Sequence, residues 1–143
     1  GFTASSDSHG LLWHHGESRK RDPYRTGLTA VQAPRLDRGS VFAALRQRRC
    51  YATSGVRIGL DATANGQPLG SFLAAGPMRI DAVAHGTAVL SALELIGPEG
   101  VLATGALEGS AGTLTAEVVT PWAYVRVTQA DGEMAWGSPF FAG

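Results

Sequence analysis

The chain has 143 residues, of which 44% are hydrophobic and 17% charged, and its formal net charge is zero. This composition is enough for one domain with its own core. The single cysteine, Cys50, excludes an internal disulfide and a multi-cysteine zinc site. The sequence has no apolar run long enough to span a bilayer and no signal-peptide pattern, which leaves localisation open.

Charge is divided unevenly along the chain. Up to Arg57 there are ten Lys or Arg and four Asp or Glu, whereas the remainder has two and eight. This division predicts two structural units with different neighbours. The basic part could attract phosphate, but we prefer a solvated surface or a face that packs on acidic protein. Nucleic acid is not specifically indicated, because no aromatic residues are interleaved with the basic ones.

An aspartate and a histidine stand two positions apart near the start of the chain. Asp7 and His9 would point to the same side of an extended backbone and could ligate one cation. Their donor atoms suit zinc, manganese or iron, but a catalytic ion needs more than two ligands. The alternative is an Asx-turn followed by a surface histidine. His14 and His15 lie in a predicted loop and are weaker candidates for contacting the same metal or a substrate.

Residues 27 to 49 predict one strand and one helix. Gly27–Val31 is short, apolar and β-branched, as expected of a buried strand. Asp37 predicts a helix N-cap, Leu36 lies at the spacing of a hydrophobic staple, and the helix is expected to run to about Arg49. Its expected apolar stripe consists of Val41, Phe42 and Leu45.

From about residue 56 the apolar residues alternate with polar ones, which is typical of half-buried strands. Ile58, Leu60 and Ala62 would share one face, and Asn65-Gly66 and Asp131-Gly132 predict tight turns. Further strands are expected near residues 78–85, 89–96, 100–104, 113–120, 122–129 and 133–141. The pattern predicts a mainly β chain: an antiparallel Ig-like β-sandwich over residues 56–143, preceded by a small β/α segment over residues 1–55.

Three motifs in the first 55 residues resemble the closing section of the PHP (polymerase and histidinol phosphatase) family. They are Ala4-Ser5-Ser6-Asp7-Ser8-His9, Gly27-Leu28-Thr29-Ala30-Val31, and the stretch from Phe42 to Gly55. A weaker likeness covers Tyr124–Val127, Asp131-Gly132, Ala135-Trp136 and Ser138-Pro139. The resemblance implies that residues 1–55 are the C-terminal end of a metal-dependent phosphoesterase barrel, with Asp7 and His9 as metal ligands.

The opening His-x-His motif of that family and its central ligands are absent from this chain. We therefore expect a fragment that is catalytically incomplete by itself, whose partner is the missing N-terminal catalytic part and whose parent hydrolyses a phosphoester. The competing hypothesis is a non-catalytic β-sandwich that binds carbohydrate, protein or its own catalytic domain. Self-association through an exposed apolar patch on the first unit is a further expectation.

Other chemically notable residues have plain structural interpretations. Cys50 is expected to be a small buried hydrophobic residue, and His85 a strand surface residue. Four aromatic residues could form a sugar-stacking platform, although aromatic residues in strands more often fill a core. These are Trp13, Trp122, Trp136 and Tyr124.

Overall fold

The computed structural model describes residues 1–5 and 26–143, and this part of the chain is mainly β with one short helix. Its elements are β1 (Leu28–Val31), α1 (Arg38–Arg46), β2 (Cys50–Thr53), β3 (Gly59–Ala64), β4 (Gln67–Pro68), β5 (Phe72–Leu73), β6 (Met78–His85), β7 (Leu90–Gly97), β8 (Gly100–Thr104), β9 (Ala106–Glu108), β10 (Ala111–Val118), β11 (Trp122–Gln129), β12 (Met134–Gly137) and β13 (Phe140–Ala142).

The strands form two sheets. In sheet A the order is β1-β2-β12-β11-β7-β8, and β13 lies beside the start of β11 with β5 next to it. In sheet B the order is β4-β3-β6-β10-β9. Within the described residues every pairing is antiparallel except that of β13 with β5. The observed fold is therefore mainly β and consistent with the predicted β-sandwich.

One hydrophobic core is shared by the two sheets. Ile80 and Leu114 of sheet B belong to the same buried cluster as Leu93 and Val125 of sheet A. The alternation predicted for β3 is confirmed. Ile58, just before the strand, and Leu60 and Ala62 within it are all buried. Burial of each large apolar side chain contributes about 1.5–3 kcal/mol, so this shared core is the main stabilising feature.

The helix is shorter than the sequence predicted. It begins after Asp37 as expected, but it ends at Arg46 instead of Arg49. Arg48 adopts a left-handed backbone (φ 59°), and Cys50 begins β2, which the sequence analysis did not predict. β2 pairs with both β1 and β12, so sheet pairing ends the helix although the local sequence would tolerate another turn.

The expected apolar side of the helix also differs from the structure. Leu36 is 99% exposed, so the predicted hydrophobic staple is wrong. Phe42 and Leu45 are exposed as well, and the buried helical residue is Ala44. The helix therefore lies on the rest of the chain through a small side chain and turns its large apolar groups outward.

Several strand predictions are confirmed with their bounds, namely those of β6, β8 and β11. The two tight turns are also present, since Asn65-Gly66 joins β3 to β4 and Asp131-Gly132 lies between β11 and β12. The strand expected over residues 133–141 is interrupted at Ser138-Pro139 and forms β12 and β13. Proline has no amide proton for the ladder, which accounts for the break. The short strands β4, β5 and β9 were not predicted.

The predicted domain boundary between residues 55 and 56 stays a prediction. Strand β2 from the first unit pairs with β12 from the second, so the two units contribute to one continuous sheet. No helix in the described part of the chain is long and apolar enough to cross a membrane.

Candidate functional site

The candidate metal ligands Asp7, His9, His14 and His15 lie outside the described residues, as does Trp13. The structure does describe the chain on both sides of that stretch. The site is accordingly built from residues 1–5, from the start of β1, and from the strands beneath them.

Residues Gly1–Ser5, here called the N-terminal strap, lie on the face of sheet A that points away from the core. The Phe2 amide donates a hydrogen bond to Ser138 Oγ (3.0 Å). The Cys50 thiol donates to the Phe2 carbonyl oxygen (3.6 Å). The amide and carbonyl groups of Phe2 are therefore satisfied by side chains of the sheet.

Thr29 in β1 holds the strap at two atoms. Its hydroxyl oxygen accepts a hydrogen bond from the Ala4 amide (3.0 Å), and the hydroxyl donates one to the Ala4 carbonyl oxygen (2.8 Å). A hydroxyl can do both because it has one proton and two lone pairs. Thr29, Cys50 and Ser138 are therefore named the strap anchor.

Gly27 completes this junction by its lack of a side chain. A Cβ placed on Gly27 would lie 2.9 Å from Ala4 Cβ and 3.2 Å from the Ser5 carbonyl oxygen. Ser5 and Gly27 therefore lie next to each other, although they are far apart in the sequence. The stretch that carries the predicted ligands has both of its flanks attached to sheet A.

Sequence reasoning missed the strap anchor. Thr29 and Ala4 are 25 positions apart, and Phe2 and Ser138 are 136 positions apart. Serine and threonine are common in strands, and no local spacing distinguishes these two from the others. The quoted motif containing Thr29 was the only signal, and it pointed to a buried strand instead of to a hydrogen-bonding role.

An aromatic cluster adjoins the strap on the same face. The Phe2 ring meets Tyr124 edge to face, with ring centroids 5.1 Å apart, and Trp122 lies nearly parallel to Tyr124 at 6.2 Å. These rings and Trp136 are half-buried and do not belong to the core cluster between the sheets. The preferred expectation, that aromatic residues in these strands fill the core, is therefore wrong for them. Edge-to-face contact adds about 0.5–1.5 kcal/mol beyond burial, so Phe2 helps to fix the strap.

One ion pair lies on this face. Arg126 contacts Glu94 at 2.8 Å across β11 and β7, where both side chains are partly buried. Within residues 1–5 and 26–143 there is no group of three or more His, Cys, Asp or Glu that could hold a metal ion.

The interpretations of Cys50 as a buried residue and of His85 as a surface residue are confirmed. Cys50 is 2% exposed, and its sulfur lies between the Phe2 carbonyl and Ser138 Oγ. His85 is exposed at the end of β6.

The fold and site define a mainly β protein in which an N-terminal strap is bound to the outer face of one sheet. The chain belongs to the family described as "Protein of unknown function (DUF3604)", whose model matches residues 1–88. This match covers the strap, its anchor residues Thr29 and Cys50, the helix, and sheet strands as far as β6.

Three chlamydial proteins, each described as uncharacterized, are similar to almost the whole chain. The Chlamydia trachomatis serovar D protein is 31% identical over 164 residues, covering 99% of this chain and 26% of its own length. The relatives from Chlamydia muridarum and Chlamydia pneumoniae are each 32% identical with the same coverage. The chain therefore spans about a quarter of the length of these relatives. No solved structure matches it.

Proposed function

We propose that this chain is the C-terminal part of a longer PHP-like metal-dependent phosphoesterase, in which Asp7 and His9 ligate a divalent ion. Zinc, manganese and iron fit a donor set of one carboxylate and one imidazole. Such an ion would supply a hydroxide nucleophile at neutral pH for attack on a phosphoester. His14 and His15 are the candidates for a further contact with the ion or with substrate oxygen.

The observation that carries this proposal is the two-point attachment of the ligand stretch. Ala4, on the flank before the stretch, is hydrogen-bonded to Thr29 on the flank after it, and Gly27 lies so near Ala4 that an added Cβ would be 2.9 Å from Ala4 Cβ. Ligands must be held within about 0.5 Å of their working positions, and attachment of both flanks reduces the entropy that is lost on metal binding. This arrangement suits a stretch with a positional role better than a free N-terminal tail.

The remaining ligands belong to the missing N-terminal catalytic part. Two ligands do not create the oriented open site that activates water, so this chain alone is expected to be inactive. The relatives, of which this chain matches 26%, are long enough to contain a separate catalytic part. That part and a phosphoester substrate are the proposed partners.

The second candidate function is a non-catalytic binding module. Its support is the nearly parallel pair of Trp122 and Tyr124 on the outer face of sheet A. Half-buried rings at this angle offer flat surfaces on which a sugar or a protein side chain could stack. Quenching of tryptophan fluorescence by a panel of oligosaccharides, lost in Trp122→Ala, would favour this function over the first.

Calorimetric titration with zinc tests the ligand assignment. Wild-type chain should bind zinc weakly, and the Asp7→Ala, His9→Ala double variant should lose most of that affinity. The matched control is the Asp61→Ala, His85→Ala double variant, which removes an exposed Asp and His elsewhere and should bind like wild type. Binding should also weaken when the pH falls from about 7.5 to about 5, because a protonated imidazole cannot ligate.

Equal zinc affinity in wild type and the Asp7, His9 variant would refute the assignment. A model-phosphoester assay with zinc or manganese examines the second half of the proposal. We expect no turnover above background. Robust turnover that disappears in the double variant would contradict the conclusion that this chain is catalytically incomplete.

A further inference from the structure

Helix α1 turns a stripe of large side chains away from the rest of the chain. Phe42 is 61% exposed and Leu45 is 39% exposed, while Leu36 just before the helix is 99% exposed. The one buried helical residue is Ala44. A helix of nine residues is marginal in water and is normally stabilised by packing of its apolar face. The packing surface that α1 has here is small for that purpose.

The same stripe carries two arginines. Arg38, Phe42 and Arg46 follow one another at spacings of four, so they lie on one side of the helix. The Arg46 guanidinium lies 5.9 Å from the centre of the Phe42 ring. No carboxylate of the described residues pairs with Arg38 or Arg46, since the nearby Asp37 pairs with Arg35. A shallow depression of about 430 Å³ lies beside Phe42.

We propose that this stripe is a docking surface for an acidic protein surface in the part of the longer polypeptide outside these 143 residues. An exposed aromatic residue flanked by arginines has the composition of an interface centre. A partner with carboxylates around an apolar patch would cover Phe42 and Leu45 and neutralise Arg38 and Arg46 together. The inference rests on the proposed function only in that it takes the chain to be part of a longer polypeptide.

A second copy of the chain fits this surface poorly. A two-fold dimer brings the same patch of each copy together, so Arg38 and Arg46 would face the equivalent arginines of the other copy. The helix is only about 13 Å long, whereas a stable dimer buries roughly 800 Å² on each partner. The chlamydial relatives, by contrast, have about three quarters of their length outside the matched region. That length is ample for an intramolecular partner.

Hydrogen–deuterium exchange measured by mass spectrometry compares this chain with the full-length Chlamydia trachomatis relative. Amides in the relative's matching helix should exchange at least about ten-fold more slowly than the amides of α1 in this chain, because docking suppresses fraying. The strand that matches β6 is the internal control and should exchange similarly in both proteins. The rates in this chain should not change with protein concentration.

A substitution gives an independent measurement. Phe42→Glu should shift the melting temperature of this chain little, because the side chain is exposed. Glutamate at the matching position of the relative should lower its melting temperature by roughly 1–2 °C. Val83→Glu, which changes an exposed apolar residue on sheet B, and its counterpart in the relative are the matched control and should have little effect in either protein.

Three outcomes would overturn the proposal. Equal exchange of the helix in both proteins would show that nothing in the longer polypeptide covers it. Protection of α1 that rises with the concentration of this chain would assign the stripe to a second copy. An equally small effect of glutamate in both proteins would also count against docking. None of these depends on zinc, so failure of the metal assignment and failure of the docking surface are distinguishable.

Discussion

Thr29 shows how a single hydroxyl can connect two distant parts of a chain. It holds both backbone groups of Ala4, while Ser138 and Cys50 hold those of Phe2. A β-branched residue at this position also suits the strand itself, because its side chain is stiff about χ1. The branching at Cβ that favours the strand therefore also restricts the direction in which the Thr29 hydroxyl points.

Replacement of Thr29 by valine tests this connection. Thr29→Val keeps the size and branching of the side chain but loses both hydrogen bonds to Ala4, so we expect a loss of about 1 kcal/mol in the free energy of unfolding. Amide exchange at Ala4 should increase by a larger factor than exchange in β6. Urea unfolding and exchange measured by NMR provide the two readouts.

The control for that change is Thr29→Ser, which keeps the hydroxyl and should retain most of the protection at Ala4. If Thr29→Val leaves the Ala4 amide as protected as in wild type, the strap is held by other contacts and the anchor is misassigned.

Helix α1 illustrates how local signals determine one end of an element better than the other. Asp37 accepts hydrogen bonds from the Ser40 amide (2.8 Å) and from the Ser40 hydroxyl (2.9 Å). These two bonds lower the pKa of Asp37 below its ordinary value of 3.8, and the bond from the Ser40 amide has the larger effect. The opposite end depends instead on the pairing of β2 with β1 and β12.

The lowered pKa of Asp37 predicts a pH dependence of this helix. A carboxylate whose pKa is depressed by folding stabilises the fold above its unfolded-state pKa, and that contribution is lost as the pH falls through the folded-state pKa. We therefore expect the Cα chemical shifts of residues 38–42 to move toward coil values below about pH 4. The Asp37→Asn variant keeps a capping side chain and should lack this transition.

A helix that loses its shifts equally in wild type and Asp37→Asn would contradict the assignment of the cap as the titrating group. Asp81 is a second carboxylate whose pKa is lowered, mainly by the hydrogen bond from Arg79. Asp81→Asn is therefore the control, and it should leave the helix transition unchanged.

At the scale of the molecule, the two predicted units share one sheet. Residues 51–53 pair with residues 135–137 through three successive partners, Ala135 with Thr53, Trp136 with Ala52, and Gly137 with Tyr51. Tyr51 also reaches sheet B, where its hydroxyl donates to the Ile58 carbonyl oxygen (3.0 Å) and accepts from the Leu60 amide (3.3 Å). The first unit is therefore bonded to both sheets of the second.

Native-state hydrogen exchange tests whether the units unfold together. In increasing denaturant, amides in β2 and β6 should converge on the same free energy of opening, because β2 is paired with β12 of sheet A and Tyr51 packs against the core that the two sheets share. A lower limiting free energy for β2, β1 and α1 than for β6 and β11 would instead make residue 55 a boundary of stability as well as of sequence pattern.

Much of the described fold could be predicted from the sequence because its causes are local. Two-residue alternation specifies β6 and β11, and the two tight turns need only the left-handed backbone of Asn65, Gly66 and Gly132. The short strands β2, β4 and β5 carry too few residues for a pattern. Their pairing depends on partners far away in the chain.

The features of the candidate site also differ in whether their causes are local in the sequence. The sequence alone determined which residue types could ligate a metal, Asp7 and His9, since that choice depends on donor chemistry and on spacing of two positions. Only the tertiary structure decided that Thr29 and Ser138 hold the strap and that Phe42 faces outward. Contacts across 25 or 136 positions and the exposure of a helix side depend on how sheets pack, and no local pattern encodes that packing.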